Sequence, residues 1–343
     1  MLKRLKYFLV YIIPVLVYIS FTSQGILTYL PILILFGLVP ILEFFFKADN
    51  TNFDKETAKF EKENKLYDII LYGTIPVQVG MLIYFLFIMQ EPMSTMEYVG
   101  RISSMGLMCG VFGINLGHEL GHRLNKTEQL LGELMLLTSL NTHFLPYHNG
   151  GHHFNVATPH DAATARKNEP LYTFWIRSHF SSYSEAWQLE NKRMKELDKP
   201  SFSLHNKMVK YTIANLLLLV SIYYFFGGIV FISFVAAAVT GILLLQTVNY
   251  IEHYGLIRDK NEYDKYERVK HTHSWNSDHI LGRLMLFNLS RHSDHHYNGS
   301  KPYQILKSLP ESPQMPTGYP GMMLFSLIPP LWFKYMNSKI STI

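Results

Sequence analysis

Cysteine is nearly absent from this chain of 343 residues, which contains Cys109 alone. One thiol cannot build the disulfide framework of a small secreted domain, so that class is excluded. Charged residues make up only 17%, against about 25% in an average soluble chain. The 23 Phe and 22 Tyr provide far too much apolar surface for a disordered chain. Two soluble domains or one polytopic membrane domain remain possible at this length.

Several long stretches contain no Asp, Glu, Lys or Arg at all: residues 7–42, 69–90, 102–117 and 211–251. A helix needs about 20 apolar residues to cross a bilayer, and lipid offers no partners to backbone polar groups. We therefore predict an all-α polytopic membrane protein rather than a soluble helical protein, which has no use for such runs. About six transmembrane helices are expected, at roughly 5–22, 26–46, 68–90, 98–118, 208–226 and 229–250.

The positions of the basic residues predict the orientation. Most Lys and Arg lie in 47–65, in 119–207 and after His253, whereas the three short loops on the opposite side carry none. Both termini and a polar helical cap are therefore predicted to face the cytoplasm of a bacterial inner membrane. The first apolar run resembles a signal peptide but is too long and lacks a cleavage site, so we interpret it as a retained anchor.

Histidine is abundant, at 16 residues, and most of these residues fall into four clusters. The clusters are HELGH at 118–122, HNGGHH at 148–153, NYIEHYG at 249–255 and HSDHH at 292–296. On a helix, residues i and i+4 lie on one face, and neutral imidazole is a common metal ligand. Nine nitrogens exceed the four of a tetrahedral zinc site and suit two metal ions. The predicted ligands are His118, His122, His148, His152, His153, His253, His292, His295 and His296.

The histidines allow two other interpretations. HELGH also fits the H-E-x-x-H pattern of zinc proteases, with Glu119 as the general base, but that pattern leaves the other three clusters without a role. A non-catalytic metal-binding membrane protein is the second alternative. The remaining histidines are interpreted as ordinary surface or core residues: His143, His160, His179, His205, His271, His273 and His279.

The clusters and their flanks resemble the integral-membrane non-haem diiron family that includes fatty acid desaturases and membrane hydroxylases. More narrowly, the chain is similar to membrane alkane 1-monooxygenases. NYIEHYGL at 249–256, SRHSDHH at 290–296 and HELGH carry this resemblance, with HHFNVATPHDAATAR, YERVKHTHSWNS and SPQMPTGYPGM in support. It covers roughly residue 40 to the C-terminus and implies one hydroxylase domain over 1–343.

The resemblance implies terminal hydroxylation of a medium-chain n-alkane to a 1-alkanol, with O₂ and two electrons. It also implies two non-haem iron ions on the nine histidines, with no catalytic residue beyond these ligands. Reduced rubredoxin would donate the electrons, supplied by an NAD(P)H-dependent reductase. Because Cys109 is alone, the rubredoxin must be a separate protein. No nucleic-acid partner is expected, and a related hydroxylase or desaturase acting on another lipid or hydrocarbon remains the alternative.

Two positions depart from the family pattern: Tyr147 stands where a glutamate is usual, and Ser290 where a glutamine is usual. Carboxylates behind metal ligands orient the imidazoles and tune the metal, so the Tyr147 difference is expected to affect rate or substrate range. The residues predicted to lie around the ligands in this way are Glu119, Glu252, Asp294, Asp278 and Tyr147.

Overall fold

The computed structural model describes residues 2–341, and within them the backbone forms helices, two isolated β-bridges and no strand. The all-α prediction is therefore confirmed for this part of the chain. The domain predicted over 1–343 also includes Met1, Thr342 and Ile343, which lie outside the described residues. That single-domain assignment stays a prediction.

Within residues 2–341, five helices are long and apolar enough to cross a membrane: Gly25–Phe45, Lys65–Ile88, Thr95–Gly121, Lys207–Phe226 and Gly228–His253. Each matches a predicted crossing to within a few residues. The first predicted crossing corresponds to the shorter apolar segment Lys6–Thr22. The uncharged runs therefore identified the membrane helices, and the expected number of about six becomes five of full length plus one shorter segment.

Two of the membrane helices contain π-helical segments, Leu33–Leu38 and Cys109–Asn115. In the first helix the irregularity lies between Pro31 and Pro40. Proline lacks a backbone N–H and clashes with the preceding turn, so it interrupts regular α-helical hydrogen bonding. The second π segment leads directly into Leu116–Gly121, which carries the first histidine cluster.

The other helical segments are mostly short. They are Leu2–Leu5, Lys6–Tyr11, Ile12–Thr22, Lys55–Lys62, Lys126–Leu137, Phe144–Tyr147, His148–His152, His153–Asn155, Leu171–Glu196, His271–His273, Ile280–Met285, His292–Tyr297, Tyr303–Ile305, Tyr319–Ser326 and Pro329–Ile340.

Contacts divide the chain into two compact units. The first contains the described parts of Met1–Leu35, Lys65–Pro146 and Ala186–Leu245, and the second those of Phe36–Asn64, Tyr147–Glu185 and Gln246–Ile343.

In the first unit, the helices Leu116–Gly121 and Lys126–Leu137 approach each other closely through glycine. A Cβ added to Gly132 would lie only 2.9 Å from the carbonyl oxygen of Gly117, so this contact needs a residue without a side chain. Ile114 and Leu136 belong to the buried apolar cluster beside this contact. The close packing holds the helix that carries His118 in a defined position.

In the second unit, a buried ionic network lies directly before the fourth histidine cluster. Arg291 Nε donates to Asp278 Oδ1 over 3.1 Å, and Arg283 Nη2 donates to Asp49 Oδ2 over 2.7 Å. Arg291 also donates to the carbonyl oxygen of Leu306. Buried charges are stable only when paired and hydrogen-bonded, so these contacts fix the start of the helix His292–Tyr297.

Candidate metal centre

Four buried histidines of the second unit, which we call the four-histidine set, converge from three separate segments: His152, His253, His292 and His296. One ring nitrogen from each lies within 4.8 Å of the others. His253 ends the helix Gly228–His253, and His292 and His296 are i and i+4 on a short helix. The Nε2 of His292 lies 3.1 Å from that of His253 and 2.9 Å from that of His296.

These separations fit ligands of a shared metal ion. Two nitrogens bound about 2.0–2.1 Å from one ion at a right angle lie about 3 Å apart. His152 gives independent support, because its buried Nε2 has no hydrogen-bond partner among the described residues. A buried polar atom without a partner costs free energy unless something binds it. The residues present therefore fit a metal ion.

A second group in the same unit, the three-histidine set, contains His148, His153 and His295, and one ring nitrogen from each again lies within 4.8 Å of the others. The Nε2 atoms of His148 and His153 are 3.0 Å apart. The segment His148–His152 is a π-helix, whose wider turn brings residues i and i+5 together. The HNGGHH segment thus forms a π-helical turn.

The first unit contributes a pair of histidines. His118 lies on the helix Leu116–Gly121 and His122 is its C-cap residue, so the two are i and i+4. Their Nε2 atoms are 3.0 Å apart, the same separation as in the other pairs. The predicted i, i+4 spacing therefore brings the two Nε2 atoms close enough to bind one metal ion.

The sequence clusters and the spatial sets are not the same. His152 and His153 are neighbours in the chain but belong to different sets, and so do His295 and His296. Adjacent side chains on a helical turn point in directions about 100° apart, so one cluster can serve two ions. None of the seven histidines interpreted as ordinary belongs to either set within the described residues.

Burial lowers the pKa of two site histidines, His153 and His296. Desolvation and the neighbouring His152 lower the pKa of His153 to about 3. Desolvation and the surrounding imidazoles hold the pKa of His296 well below its usual value. A neutral ring leaves a nitrogen lone pair free, which metal binding requires.

Among the predicted surrounding residues, Glu252 lies closest to a site histidine in the four-histidine set. Its Oε2 is 3.2 Å from His292 Nε2, and its Oε1 accepts a hydrogen bond of 2.7 Å from the hydroxyl of Tyr319. The contact is to the nitrogen that faces the other imidazoles, not to the opposite ring nitrogen. The carboxylate is therefore directed toward the metal side of the ring.

Three other predicted carboxylates contact cationic side chains. Glu119 accepts a hydrogen bond of 3.1 Å from Arg123. Asp294 accepts from the Lys301 ammonium and, over 2.7 Å, from the backbone N–H of Lys307. The contacts of Asp278 with Arg291 are those of the ionic network described above.

The family departures Tyr147 and Ser290 are both buried. Ser290 donates to the carbonyl oxygen of Ser277 over 2.6 Å. The Tyr147 hydroxyl donates to Asp161 Oδ1 over 2.6 Å, and Asp161 Oδ2 lies 2.9 Å from His152 Nδ1. The predicted position of Tyr147 behind a ligand is thus reached through Asp161.

Asp161 is the functional residue that sequence reasoning missed. It contacts His152 directly, and its hydrogen bonds hold its pKa below the usual range despite complete burial. An ionised carboxylate that accepts Nδ1–H fixes the tautomer with Nε2 free for a metal. The available signal was its place in the segment PHDAATAR, next to a histidine that belongs to neither set.

Membrane-length apolar helices together with converging imidazoles define an integral membrane protein with a histidine cluster that could hold a metal ion. The fatty acid desaturase family profile matches residues 98–326. The chain belongs to this family, and within it to the alkane 1-monooxygenases. The predicted identity as a membrane oxidoreductase is thereby confirmed.

Three relatives illustrate the similarity. Alkane 1-monooxygenase 1 of Pseudomonas aeruginosa is 38% identical, over 90% of this chain and 82% of the relative. Alkane 1-monooxygenase 1 of Alcanivorax borkumensis is 35% identical, over 94% and 80%. The xylene/toluene monooxygenase hydroxylase component of Pseudomonas putida is 26% identical, over 78% and 72%.

Proposed function

We propose that this protein hydroxylates the terminal carbon of a medium-chain n-alkane. One alkane, one O₂, two electrons and two protons give one 1-alkanol and one water. The observation that carries the proposal is the four-histidine set, in which segments over 140 residues apart in sequence bring four buried nitrogens within 4.8 Å. The family to which the protein belongs supports the same reaction.

Two iron ions are proposed to bind the nine histidines. The four-histidine set would hold one ion, and the number of remaining predicted ligands suits a second. This division follows from ligand number and the Nε2–Nε2 separations of about 3 Å. When bound, the irons supply the oxygen and electron chemistry that no amino-acid side chain provides.

The protein's own residues would prepare the site for this chemistry. Buried imidazoles would hold the ions, Asp161 would orient His152 through its Nδ1, and Glu252 lies beside the Nε2 of His292. Complete burial of this set excludes bulk water, which limits the loss of reactive species. An alkane dissolves in the lipid around the apolar helices, so it can reach the site from the bilayer.

A separate rubredoxin, reduced by an NAD(P)H-dependent reductase, is the proposed electron donor. The proposed location is a bacterial inner membrane, with both termini and the polar cap in the cytoplasm. The support is the absence of Lys and Arg from the short loops opposite.

The test is metal analysis of the purified protein, followed by octane oxidation with rubredoxin, its reductase and NADH. Two irons per chain and 1-octanol as the product are expected. Iron without octanol would redirect the search to other substrates. One zinc and no iron would contradict the diiron proposal and favour the zinc-protease interpretation.

Hydroxylation of a methyl group on an aromatic ring is the second candidate. The similarity to the xylene/toluene monooxygenase component favours it, although at lower identity than the alkane enzymes. Parallel assays with octane and toluene separate the two, because the products are 1-octanol and benzyl alcohol. A higher kcat/KM for toluene would favour the second candidate.

A further inference from the structure

Tyr147 belongs to a closed hydrogen-bond network that ends on the four-histidine set. Its hydroxyl donates to Asp161 Oδ1 over 2.6 Å, and Asp161 Oδ2 accepts from His152 Nδ1 over 2.9 Å. The three side chains are only 1–2% exposed. Because water is excluded, the charges in this network interact through a low local dielectric.

Four donors surround the Asp161 carboxylate. In addition to Tyr147 and His152, the backbone N–H of Ala163 donates to Oδ1 over 3.1 Å and the Thr164 hydroxyl to Oδ2 over 2.6 Å. An ionised carboxylate has about four acceptor sites. All of them are used, so the loss of one donor would leave more negative charge for the remaining partners.

We propose that Tyr147 is a positioning residue of the metal centre that acts through Asp161. Its hydrogen bond withdraws negative charge from the carboxylate and thereby limits the electron donation of His152 to the metal. The proposal rests on the proposed function, since it requires a redox-active metal in the four-histidine set. The physical basis is that a carboxylate behind a ligating imidazole raises the basicity of that ligand, and a donor to the carboxylate opposes this effect.

The residue type at this position therefore matters. An ionised glutamate has no hydrogen to donate, whereas a tyrosine hydroxyl has one. Tyr147 also accepts a hydrogen bond of 2.8 Å from the backbone N–H of Ala163, which fixes its hydroxyl. Tyr147 thus supplies a donor that partly neutralises Asp161, which an ionised carboxylate at this position could not do.

The test compares the wild-type protein with Tyr147→Phe by iron content and by a spectroscopic redox titration. Phenylalanine keeps the ring and removes only the donor. We expect full iron occupancy and a lower midpoint potential, because the more negative Asp161 stabilises ferric over ferrous iron. A tenfold change in that preference corresponds to about 59 mV for a one-electron couple. Neither measurement requires substrate turnover.

Asp161→Asn should shift the midpoint potential in the opposite direction. Without the negative charge the midpoint potential should rise, and iron affinity should fall about 10- to 100-fold. The double variant Tyr147→Phe/Asp161→Asn should match Asp161→Asn alone, since Tyr147 acts through the carboxylate. A merely structural role would instead give additive losses of thermal stability and no shift in potential.

Tyr250→Phe is the matched control. Tyr250 is also buried, but its hydroxyl donates to the carbonyl oxygen of Glu169 over 2.7 Å. Its removal should leave the midpoint potential unchanged. If Tyr147→Phe fails to fold, Thr164→Val removes another donor to Asp161 and should lower the potential in the same direction.

The possible failures are distinguishable. Iron-loaded Tyr147→Phe or Thr164→Val with an unshifted potential would overturn the role of Tyr147. A wild-type protein that binds zinc but no iron would overturn the proposed function instead. Iron without alkane turnover would overturn the alkane substrate alone, and the midpoint potential of Tyr147→Phe would still decide the role of Tyr147.

Discussion

The four-histidine set and the three-histidine set differ in burial and in their carboxylate contacts. All members of the first are buried, whereas the second includes the half-buried His153. Asp161 and Glu252 contact members of the four-histidine set. Negative charge beside a ligand favours the more oxidised metal and tighter binding. We therefore infer that two ions at these sets would be inequivalent, with the four-histidine set holding its ion more firmly.

The largest effect should follow from His292→Ala. His292 faces both His253 and His296, so its loss removes the central nitrogen of the four-histidine set. We expect loss of iron and of activity. The loss of iron affinity should exceed the about 10- to 100-fold loss expected when a residue that contacts a ligand is changed. Iron per chain measures the effect, and the exposed His160→Ala is the control. Full iron occupancy with retained activity would contradict the assignment of His292 as a metal ligand.

Substitution of two histidines that are neighbours in the chain should cause the loss of different metal ions. His152→Ala should remove the ion of the four-histidine set, and His153→Ala should remove or weaken the other. Each variant should retain about half of the iron, and the residual Mössbauer signals should differ because the two sets have different surroundings. Identical residual signals would contradict the division of the two residues between sets.

Removal of carboxylate support should have a smaller effect. Glu252→Gln keeps the shape of the side chain but replaces an oxygen of the carboxyl group beside His292, so iron affinity should fall about 10- to 100-fold. Competition with a chelator measures this loss. Tyr319→Phe keeps Glu252 and removes one hydrogen bond to it, so its effect should be weaker. Wild-type affinity in Glu252→Gln would show that the carboxylate gives no support.

The smallest change in metal content is expected for Tyr147→Glu. The new carboxylate would lie beside Asp161, and two adjacent carboxylates disfavour double ionisation. Iron content should stay intact, while the rate or the substrate range changes by less than the about 10- to 100-fold loss expected for Glu252→Gln. Product analysis across several hydrocarbons measures the change. Loss of both irons would contradict a position behind the ligands.

The membrane helices and the predicted ligands could be identified from local sequence patterns. Runs without charged residues indicate membrane helices, because polar groups are energetically unfavourable in lipid. This cost applies to each segment separately, whatever its neighbours are. Histidines at i and i+4 report the geometry of one helical turn, and His118 and His122 show the 3.0 Å Nε2 separation that this spacing implies. Both signals are local, so neither requires knowledge of the tertiary fold.

Asp161 could not be found in the same way, because its role depends on a contact with His152 across a turn. An aspartate beside a histidine has no special spacing, and most such carboxylates are solvated. The change from 3₁₀-helix to α-helix within the first predicted crossing was also missed, since composition does not reveal where a helix changes its hydrogen-bonding pattern.

The sequence by itself determined the all-helical membrane class, the residues able to bind metal and the family. These properties depend on side-chain chemistry and on the periodicity of single helices. Only the tertiary structure decided that His152 and His153 belong to different sets and that the Tyr147 hydroxyl contacts Asp161. Those assignments depend on the direction of each side chain, which the π-helical turn and the packing of distant segments set together.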